Sequence, residues 1–438
     1  MSVLKEEFIL PCGQILKNRI CKAAMTERIA DGDNFANQFH TALYEKWANG
    51  NLGLLLTGNV QVDKRYLESA GNVAIEKDSF KDQLPLLKKW AEVGTKNNTQ
   101  LWMQISHAGR QTPGELTMEP LAPSNVGLRI PGVKYGKPRA MSSEEIKDVI
   151  ERFIFVGKIA QDTGFTGIQI HSAHGYLISE FLSPDINIRT DEYGGSIENR
   201  ARPLLSIIEG CRKELGSDFP ISVKINSADF QKGGFSSEDS IAVAKMLNKT
   251  GIDLLEISGG TYEQPRLLGL DNVSINPERS EIRKESTIAR EAYFLSYTEE
   301  LKKLIDIPLM VTGGFRSKIA MEAAINERAC EIIGIGRPLC VDPFSVKDML
   351  NGKINMLPAL EKTLSIGPGW LSLKSPFRLI QAINAFSIQS WFYIQIKRIS
   401  EGLSPDLLIN PFKAFRIDGK NNKESLNCLL YTSPSPRD

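Results

Sequence analysis

Two short segments of the 438-residue chain hold three of its four histidines, QLWMQISHAGRQ (residues 100–111) and IQIHSAHGYLISEFLSP (residues 168–184). In the second segment, His171, His174 and Tyr176 follow the apolar run Ile168–Ile170. Two imidazole rings and a phenol can present two N–H donors and one O–H donor to a single small ligand. The set therefore predicts a binding site for an anion or an enolate.

Two other interpretations of these histidines are open. Both rings could be polar loop residues that bond to backbone carbonyl groups. A catalytic zinc site is the second alternative, but it needs three protein ligands. The remaining nearby motif offers only His107, close to the cation Arg110, so we expect no metal here.

A scaffold of strands and helices must position these side chains. Eight short apolar runs recur with amphipathic segments between them: Ile20–Ala24, Leu52–Thr57, Leu101–Ser106, Gly167–His171, Ile221–Asn226, Leu254–Ser258, Pro308–Thr312 and Ile332–Gly336. This alternation favours a (β/α)8 TIM barrel, whose catalytic residues lie at the carboxyl ends of the strands. A doubly wound sheet would give the same alternation.

Three further patterns predict local structure. Ser142 and Glu145 form a capping-box pattern, which predicts the start of a helix. Segment Phe8–Ile20, with Gly13 between two apolar stretches, predicts a hairpin that closes the bottom of the barrel. Connections Gly109–Ala140 and Gly259–Arg290 are much longer than usual βα loops, so we expect both to lie over the barrel mouth.

The change of pattern near residue 345 divides the chain. We expect residues 1–345 to form the barrel and residues 346–428 to form an extension that packs on it, with an aromatic-rich helix at Ile380–Ile399. Residues 429–438, which include YTSPSPRD, have no apolar face. We expect them to be a disordered or non-native tail.

Composition limits the classes of partner. The chain has 53 basic and 52 acidic side chains, interspersed along its length, which indicates no surface for nucleic acid or anionic membrane. The charged N-terminus lacks the apolar core of a secretory signal, and no apolar run reaches membrane-spanning length. Its six cysteines show no spacing typical of a disulfide framework or an iron–sulfur cluster. We therefore expect a cytoplasmic protein that acts on small molecules.

Two glycine motifs follow the last two apolar runs, VTGGFRS (residues 311–317) and IGIGRPL (residues 333–339). Glycine allows backbone N–H groups to approach a phosphate closely, and barrels often bind phosphate in the loops after strands seven and eight. Either motif alone could be an ordinary turn. Together they predict a phosphate-bearing cofactor.

From Phe8 to Pro343 the chain resembles the old yellow enzyme family of FMN-dependent ene reductases, in particular its NADH-oxidase-like branch. Besides the histidine and glycine motifs, the resemblance rests on NRICKAAMTE (residues 18–27), NIRTDEYGGSIENRARPL (residues 187–204) and VKINSADF (residues 223–230). Their occurrence together in this order is far more specific than any one of them.

The resemblance implies a flavin across the barrel mouth. The turn residues Ala23, Ala24, Met25 and Thr26, together with Gly58, would line the isoalloxazine ring, with the Thr26 hydroxyl on the edge that carries O4. Gln104 would bind the pyrimidine edge, and Lys224 would lie beside N1 and O2. Gly313, Gly314, Gly336 and Arg337 would hold the phosphate. Each residue also has a structural interpretation: Thr26 as a helix cap, Gln104 as a core-edge amide, Lys224 as half of an ordinary ion pair.

The resemblance also implies an activity. Electrons from NAD(P)H would pass through non-covalent FMN to an activated alkene such as an α,β-unsaturated carbonyl compound, with His171 and His174 on the carbonyl oxygen and Tyr176 as proton donor. Two alternatives remain: a flavin-binding sensor barrel without turnover, and a flavin-free lyase that uses Lys224 as a Schiff-base nucleophile. Coenzyme preference, natural acceptor and homo-oligomeric state are not given by the sequence.

Overall fold

A computed structural model describes residues 2–128, 134–260 and 294–432 of the chain. Its strands, numbered along the described residues, are β1 (Phe8–Ile9), β2 (Ile15–Leu16), β3 (Ile20–Lys22), β4 (Leu54–Leu56), β5 (Val60–Gln61), β6 (Gln100–Ser106), β7 (Leu121–Ala122), β8 (Arg139–Ala140), β9 (Gly167–Ser172), β10 (Ile221–Asn226), β11 (Leu254–Ser258), β12 (Leu309–Thr312) and β13 (Ile332–Ile335).

Eight of these strands form a closed parallel barrel. Their order is β4, β3, β13, β12, β11, β10, β9 and β6, and pairing of β4 with β6 closes the ring. Each barrel strand coincides with one of the eight predicted apolar runs, within a few residues at its ends. The (β/α)8 prediction is confirmed, because a doubly wound sheet is open at both edges.

Helices pack around the barrel. Those of the described residues are α1 (Gln38–Ala48), α2 (Phe80–Gly94), α3 (Ser143–Asp162), α4 (Leu177–Leu182), α5 (Ile197–Leu215), α6 (Ser237–Leu247), α7 (Leu295–Leu301), α8 (Lys318–Asn326), α9 (Ser345–Leu350), α10 (Arg378–Ser400) and α11 (Pro411–Thr432). Helix α3 begins at the predicted capping box: Ser142 accepts from the Glu145 N–H, and Glu145 accepts from the Ser142 N–H. This exchange satisfies two N–H groups that the first turn leaves without partners.

One apolar cluster fills part of the barrel interior and reaches its bottom. Leu54, Trp102 and Met310 project from the strands, and Leu10 and Leu16 join them from the predicted hairpin of β1 and β2. A Cβ on Gly167 would come within 2.5 Å of the Trp102 ring, so glycine makes room for the indole. The hairpin therefore closes the end of the barrel opposite the carboxyl ends of the strands.

The C-terminal helices lie against the barrel. Helix α10 spans the predicted aromatic-rich helix and contacts α1 and the short turn Arg337–Cys340. Helix α11 continues to Thr432, beyond the position where a tail was expected to begin, and buries Leu429 against Leu67 and Ala74. Residues 433–438 lie outside the described residues.

The two long connections are described unequally. The first contains the parallel pair β7 and β8, and its residues 129–133 lie outside the described part. It is anchored near the carboxyl ends of the strands, where the Gln111 side chain donates to the His174 carbonyl at 2.8 Å. Of the second connection only Gly259 and Gly260 are described.

All six cysteines are free thiols. Within residues 2–128, 134–260 and 294–432, no group of three or more His, Cys, Asp or Glu side chains is placed to hold a metal ion. No helix in the same ranges is both long and apolar enough to cross a membrane.

Candidate active site

His171 lies at the end of β9 on the inner face of the barrel. It is in register with Lys224 of β10, so the two side chains share that face, and only 4% of its surface is exposed. Its Nδ1 accepts from the Ala173 N–H at 3.2 Å. A neutral ring whose Nδ1 is an acceptor carries its proton on Nε2. His171 can therefore donate through Nε2 to a ligand.

His174 is held in a left-handed backbone conformation, with φ +62°. Its N–H donates to the Asn226 side chain at 3.2 Å, and its carbonyl accepts from Gln111. On the ring, Nε2 lies 2.9 Å from the Ser258 hydroxyl at the end of β11. Bonds from three parts of the chain thus fix a ring that an isolated loop would leave mobile.

Tyr176 completes the predicted set. Its ring centroid lies 4.7 Å from that of His171 in an edge-to-face contact, and the two imidazole centroids are 5.2 Å apart. Tyr176 also serves as the N-cap residue of α4, and its carbonyl accepts from the Glu180 N–H at 2.8 Å. The three side chains are therefore brought together as predicted.

Burial decides the charge of the two histidines. Loss of hydration lowers the pKa of His171 well below its usual value, and the cation of Lys224 lowers it further. The pKa of His174 is lowered for the same two reasons, with His171 adding a smaller effect. Both rings are neutral at pH 7, so each offers one N–H donor and one acceptor nitrogen.

Lys224 is half of a buried ion pair, the structural interpretation considered for it above. Its Nζ lies 2.9 Å from Oε1 of Glu256, in register on β11, and both side chains are at most 4% exposed. The other oxygen of Glu256 accepts from Gln169, and Gln169 accepts from the Gln104 amide at 2.8 Å. Polar side chains thus cross the barrel interior from β6 to β10.

The predicted flavin turn follows β3. The Ala23 N–H donates to the Ile335 carbonyl of β13, and Ala24 packs on the barrel-interior cluster. A Cβ on Gly336 would lie 3.5 Å from the Met25 sulfur, so this turn borders the second glycine motif. The Thr26 hydroxyl donates to the Asn59 side chain at 3.2 Å. It does not cap a helix.

A buried polar cluster lies directly behind this turn. One oxygen of Glu27 accepts from the Tyr44 hydroxyl at 2.6 Å and from the Gly58 N–H at 3.1 Å. The Lys22 ammonium lies 3.4 Å from the same oxygen and donates to the Leu56 carbonyl at 2.7 Å. These bonds tie Gly58 to the Glu27 side chain, which follows the flavin turn.

The two glycine motifs lie side by side, because β12 and β13 pair in parallel. Gly313 and Gly314 have φ of +121° and +92°, conformations that other residues seldom adopt. Gly336 and Arg337 begin the short 3-10 turn after β13. The two motifs are therefore adjacent at the carboxyl ends of β12 and β13, the end of the barrel where a phosphate was expected.

Neighbouring polar residues brace the site. Arg189 pairs with Asp191 and donates to the carbonyls of Pro123 and Met141, which holds the first long connection in place. Arg200 pairs with Asp239 at 3.0 Å. His107 is buried against Tyr66, and burial lowers its pKa to about 4.

Comparisons of the sequence with known proteins identify the family. A profile of the NADH:flavin oxidoreductase / NADH oxidase family matches residues 12–354. The NADH-dependent flavin oxidoreductase iliE of Hypocrea jecorina (strain QM6a) is 36% identical over 383 residues, 83% of this chain and 92% of that protein. The chain belongs to this family. Among solved structures, an old yellow enzyme homologue from Zymomonas mobilis shares the fold with a TM-score of 0.67 at 23% identity, over 82% of this chain and 95% of that one.

A second solved structure, of a 2-naphthoyl-CoA reductase, matches with a TM-score of 0.72 at 27% identity. The match covers 81% of this chain and 53% of that longer chain. Family membership confirms the resemblance to old yellow enzymes and establishes an oxidoreductase that binds FMN non-covalently and takes electrons from NAD(P)H.

Sequence reasoning missed four residues of this site. Ser258 and Glu256 lie on β11, where no site residue was predicted, and Glu27 and Asn226 position others through hydrogen bonds. Ser258 had a usable signal, because it is the polar last residue of a predicted strand. The partner of Glu27 on α1, Tyr44, had none.

Proposed function

We propose that this enzyme reduces activated alkenes, in particular α,β-unsaturated carbonyl compounds. The observation that carries the proposal is the arrangement of two buried, neutral imidazoles and one phenol, with ring centroids 5.2 and 4.7 Å apart, at the carboxyl ends of the strands. Such a set binds a carbonyl oxygen and supplies a proton.

The residues present fit FMN. Gly313 and Gly314 provide a positive-φ backbone at the end of β12, and Arg337 follows the neighbouring strand β13, as a phosphate site needs. Bound there, FMN supplies a two-electron carrier that accepts a hydride from NAD(P)H and delivers one to the acceptor. Ala23, Ala24, Met25, Thr26 and Gly58 would line its ring, Gln104 would bind the pyrimidine edge, and Lys224 would lie beside N1 and O2.

The two histidines would stabilise developing charge. Hydride addition at the β carbon of an enone moves negative charge onto the carbonyl oxygen. Two N–H donors fixed in advance stabilise that charge more in the transition state than in the ground state. His171 can donate through Nε2, because its Nδ1 already accepts from Ala173.

Tyr176 would protonate the α carbon. A phenol with an ordinary pKa of about 10 is protonated at neutral pH and can supply a proton to a basic enolate. Because the ring is 3% exposed and packs on His171, bulk water has little access to the same position.

The Lys224–Glu256 pair argues against a Schiff-base lyase. An ammonium engaged with a carboxylate 2.9 Å away is not a nucleophile. As the neighbour of Glu256 and of both histidines, Lys224 instead contributes to the electrostatic potential at the barrel mouth. The alternative of a flavin-binding sensor barrel without turnover is tested by the following experiment.

The test measures each half-reaction separately by anaerobic stopped flow. Tyr176→Phe should slow reoxidation by an enone, while reduction by NAD(P)H and reoxidation by a quinone, which needs no carbon protonation, keep the parental rates. Tyr297→Phe is the matched control, since that hydroxyl bonds Ser240 on α6. If Tyr176→Phe reduces enones at the parental rate, its role as proton donor is wrong. If the parent itself reduces no enone, the proposed function is wrong.

A further inference from the structure

Helices α10 and α11 form a C-terminal hairpin that lies against the same rim of the barrel as the flavin turn. Within the hairpin, the Trp391 indole donates to the Ile409 carbonyl at 3.0 Å. The Gln395 amide exchanges two hydrogen bonds with the backbone of Asp406. These bonds fix the connection between the two helices, so the hairpin can act as one rigid body against the barrel.

Arg28 joins the hairpin to the barrel. It follows Thr26 by two residues and has φ +59°. Its guanidinium lies 3.3 Å from Asp418 of α11 and 3.5 Å from Glu68, and its Cζ lies 4.2 Å from the centroid of the Tyr393 ring of α10. One cation thus contacts both helices of the hairpin and one loop of the barrel.

Burial and a further hydrogen bond hold the Asp418 carboxylate in position beside Arg28. Asp418 is 9% exposed, and its Oδ2 also accepts from the Ser390 hydroxyl of α10 at 2.7 Å. The Arg28 side chain is 25% exposed. A pair held on both sides in this way loses less to screening by water and salt than a surface pair does.

The flavin turn is held from two sides. On the inner side, Glu27 receives the Gly58 N–H and the Tyr44 hydroxyl. On the outer side, the hairpin holds Arg28, whose left-handed backbone persists only where surrounding contacts fix it. The positions of Met25 and Thr26, between these anchors and β3, depend on both.

The hairpin also reaches two neighbouring segments. Phe392 of α10 lies under Arg337, with 5.9 Å between Cζ and the ring centroid. Ser69 donates to the Asn422 side chain of α11 at 3.1 Å, next to the apolar contact of Leu429 with Ala70. The hairpin therefore touches the second glycine motif as well as the flavin turn.

We propose that the C-terminal hairpin is a working part of the flavin site, and that Arg28 and Asp418 are positioning residues through which it holds the flavin turn. The proposal rests on the placement of FMN proposed above. Breaking the pair should let the turn relax and FMN dissociate, while the barrel, whose core lies elsewhere, stays folded.

The experiment compares Asp418→Asn with Glu424→Gln, a control on the same helix whose pair with Lys420 is 3.6 Å long and mostly exposed. We expect Asp418→Asn to raise the FMN dissociation constant about fivefold, the effect of losing about 1 kcal/mol. Its visible flavin spectrum should broaden, and apoprotein melting should match the control. Ser390→Ala should shift FMN affinity in the same direction by less.

Parental FMN affinity and spectrum in Asp418→Asn would overturn the proposal. If Asp418→Asn does not fold, the Ser390→Ala variant decides in the same way. Arg337→Met separates this failure from failure of the flavin placement, because it removes a proposed phosphate contact. If Arg337→Met binds FMN more weakly and Asp418→Asn binds it as the parent does, only the hairpin's role is rejected. Unchanged binding in both rejects the placement of FMN.

Discussion

At the scale of single residues, the chemistry of the site depends on which nitrogen of each imidazole carries the proton. For His171 the Ala173 N–H assigns it to Nε2. For His174 the assignment rests on Ser258: if the hydroxyl donates to Nε2, then Nδ1 carries the proton and can donate to a ligand. A serine that no motif distinguishes thereby decides whether the second histidine is a donor.

Ser258→Ala should therefore impair the role of His174 as a hydrogen-bond donor. The histidine itself and its neutral charge stay unchanged. We expect phenol-type anions to bind about tenfold more weakly, the loss of about one hydrogen bond to a charged group. Reduction by NAD(P)H should change less. Phenol titration of the oxidised enzyme measures the effect, and Ser258→Thr should restore most of it. If Ser258→Ala binds phenols with the parental affinity, the Ser258 hydroxyl does not determine the donor role of His174.

Lys224 and Glu256 should affect the flavin with opposite signs. Lys224→Met leaves a buried carboxylate without its cation, so the flavin should become harder to reduce. Glu256→Gln leaves the cation, so it should become easier. We expect shifts of about 30 mV or more, since that equals about 1.4 kcal/mol for a two-electron couple. Spectroelectrochemical titration measures both midpoint potentials. Equal potentials in the two variants would make the pair purely structural.

The buried Glu180 carboxyl group should make the free energy of unfolding depend on pH. Burial raises its pKa to about 8, and Oε1 accepts from the Arg110 N–H while Oε2 lies buried with no hydrogen-bond partner among the residues that the structure describes. Between pH values of about 4.3, the usual pKa of a glutamate, and 8, Glu180 therefore keeps a proton in the folded state that it has lost in the unfolded state. Stability from this group is complete below that range and is lost as pH rises through 8.

Glu180→Gln should remove this contribution. The free energy of unfolding of the parent should fall, relative to that of the variant, as pH rises from 5 to 9. Urea unfolding at several pH values measures the difference, in which other titrating groups cancel. A difference that is constant across the range would show that Glu180 is ionised in the fold.

At the scale of elements, each barrel strand delivers residues to one rim, and this much could be predicted. The apolar runs and the capping box of α3 are local patterns, so the sequence displays them directly. The cluster of Lys22, Glu27 and Tyr44 could not be predicted in the same way, because β3, the flavin turn and α1 meet only after folding. Asp418 and Arg28 are separated by 390 residues.

Gly58 tests how that cluster holds the flavin turn. An added Cβ would collide with the Glu27 carboxylate and would lie 2.7 Å from the Met25 carbonyl. Gly58→Ala should cost about 1–3 kcal/mol of stability, as overpacking does, and should weaken FMN binding. Gly127→Ala is a suitable control, because its Cβ would meet no atom of the described residues within 4 Å. Equal melting temperatures and FMN affinities in the two variants would contradict this role of the turn.

At the scale of the whole molecule, the fold could be predicted by counting apolar strands in the sequence, whereas the natural electron acceptor could not be predicted. We expect the two long connections to form the pocket walls, and the first of them depends on contacts far along the chain, those of Arg189 with Pro123 and Met141. The resemblance to a family supplied FMN and the roles proposed for His171, His174 and Tyr176. The resemblance also supplied Lys224, and the register of β9 and β10 shows that Lys224 lies beside His171.

The most direct test of the central claim is anaerobic turnover of the holoenzyme with NAD(P)H and 2-cyclohexenone, with products measured by mass spectrometry. We predict one saturated ketone for each NAD(P)H oxidised. His171→Ala and His174→Ala should each lose on the order of 3 kcal/mol of transition-state stabilisation in the enone half-reaction. A yellow enzyme that NAD(P)H reduces, but that forms no saturated ketone and binds phenols equally well without either histidine, would contradict the account.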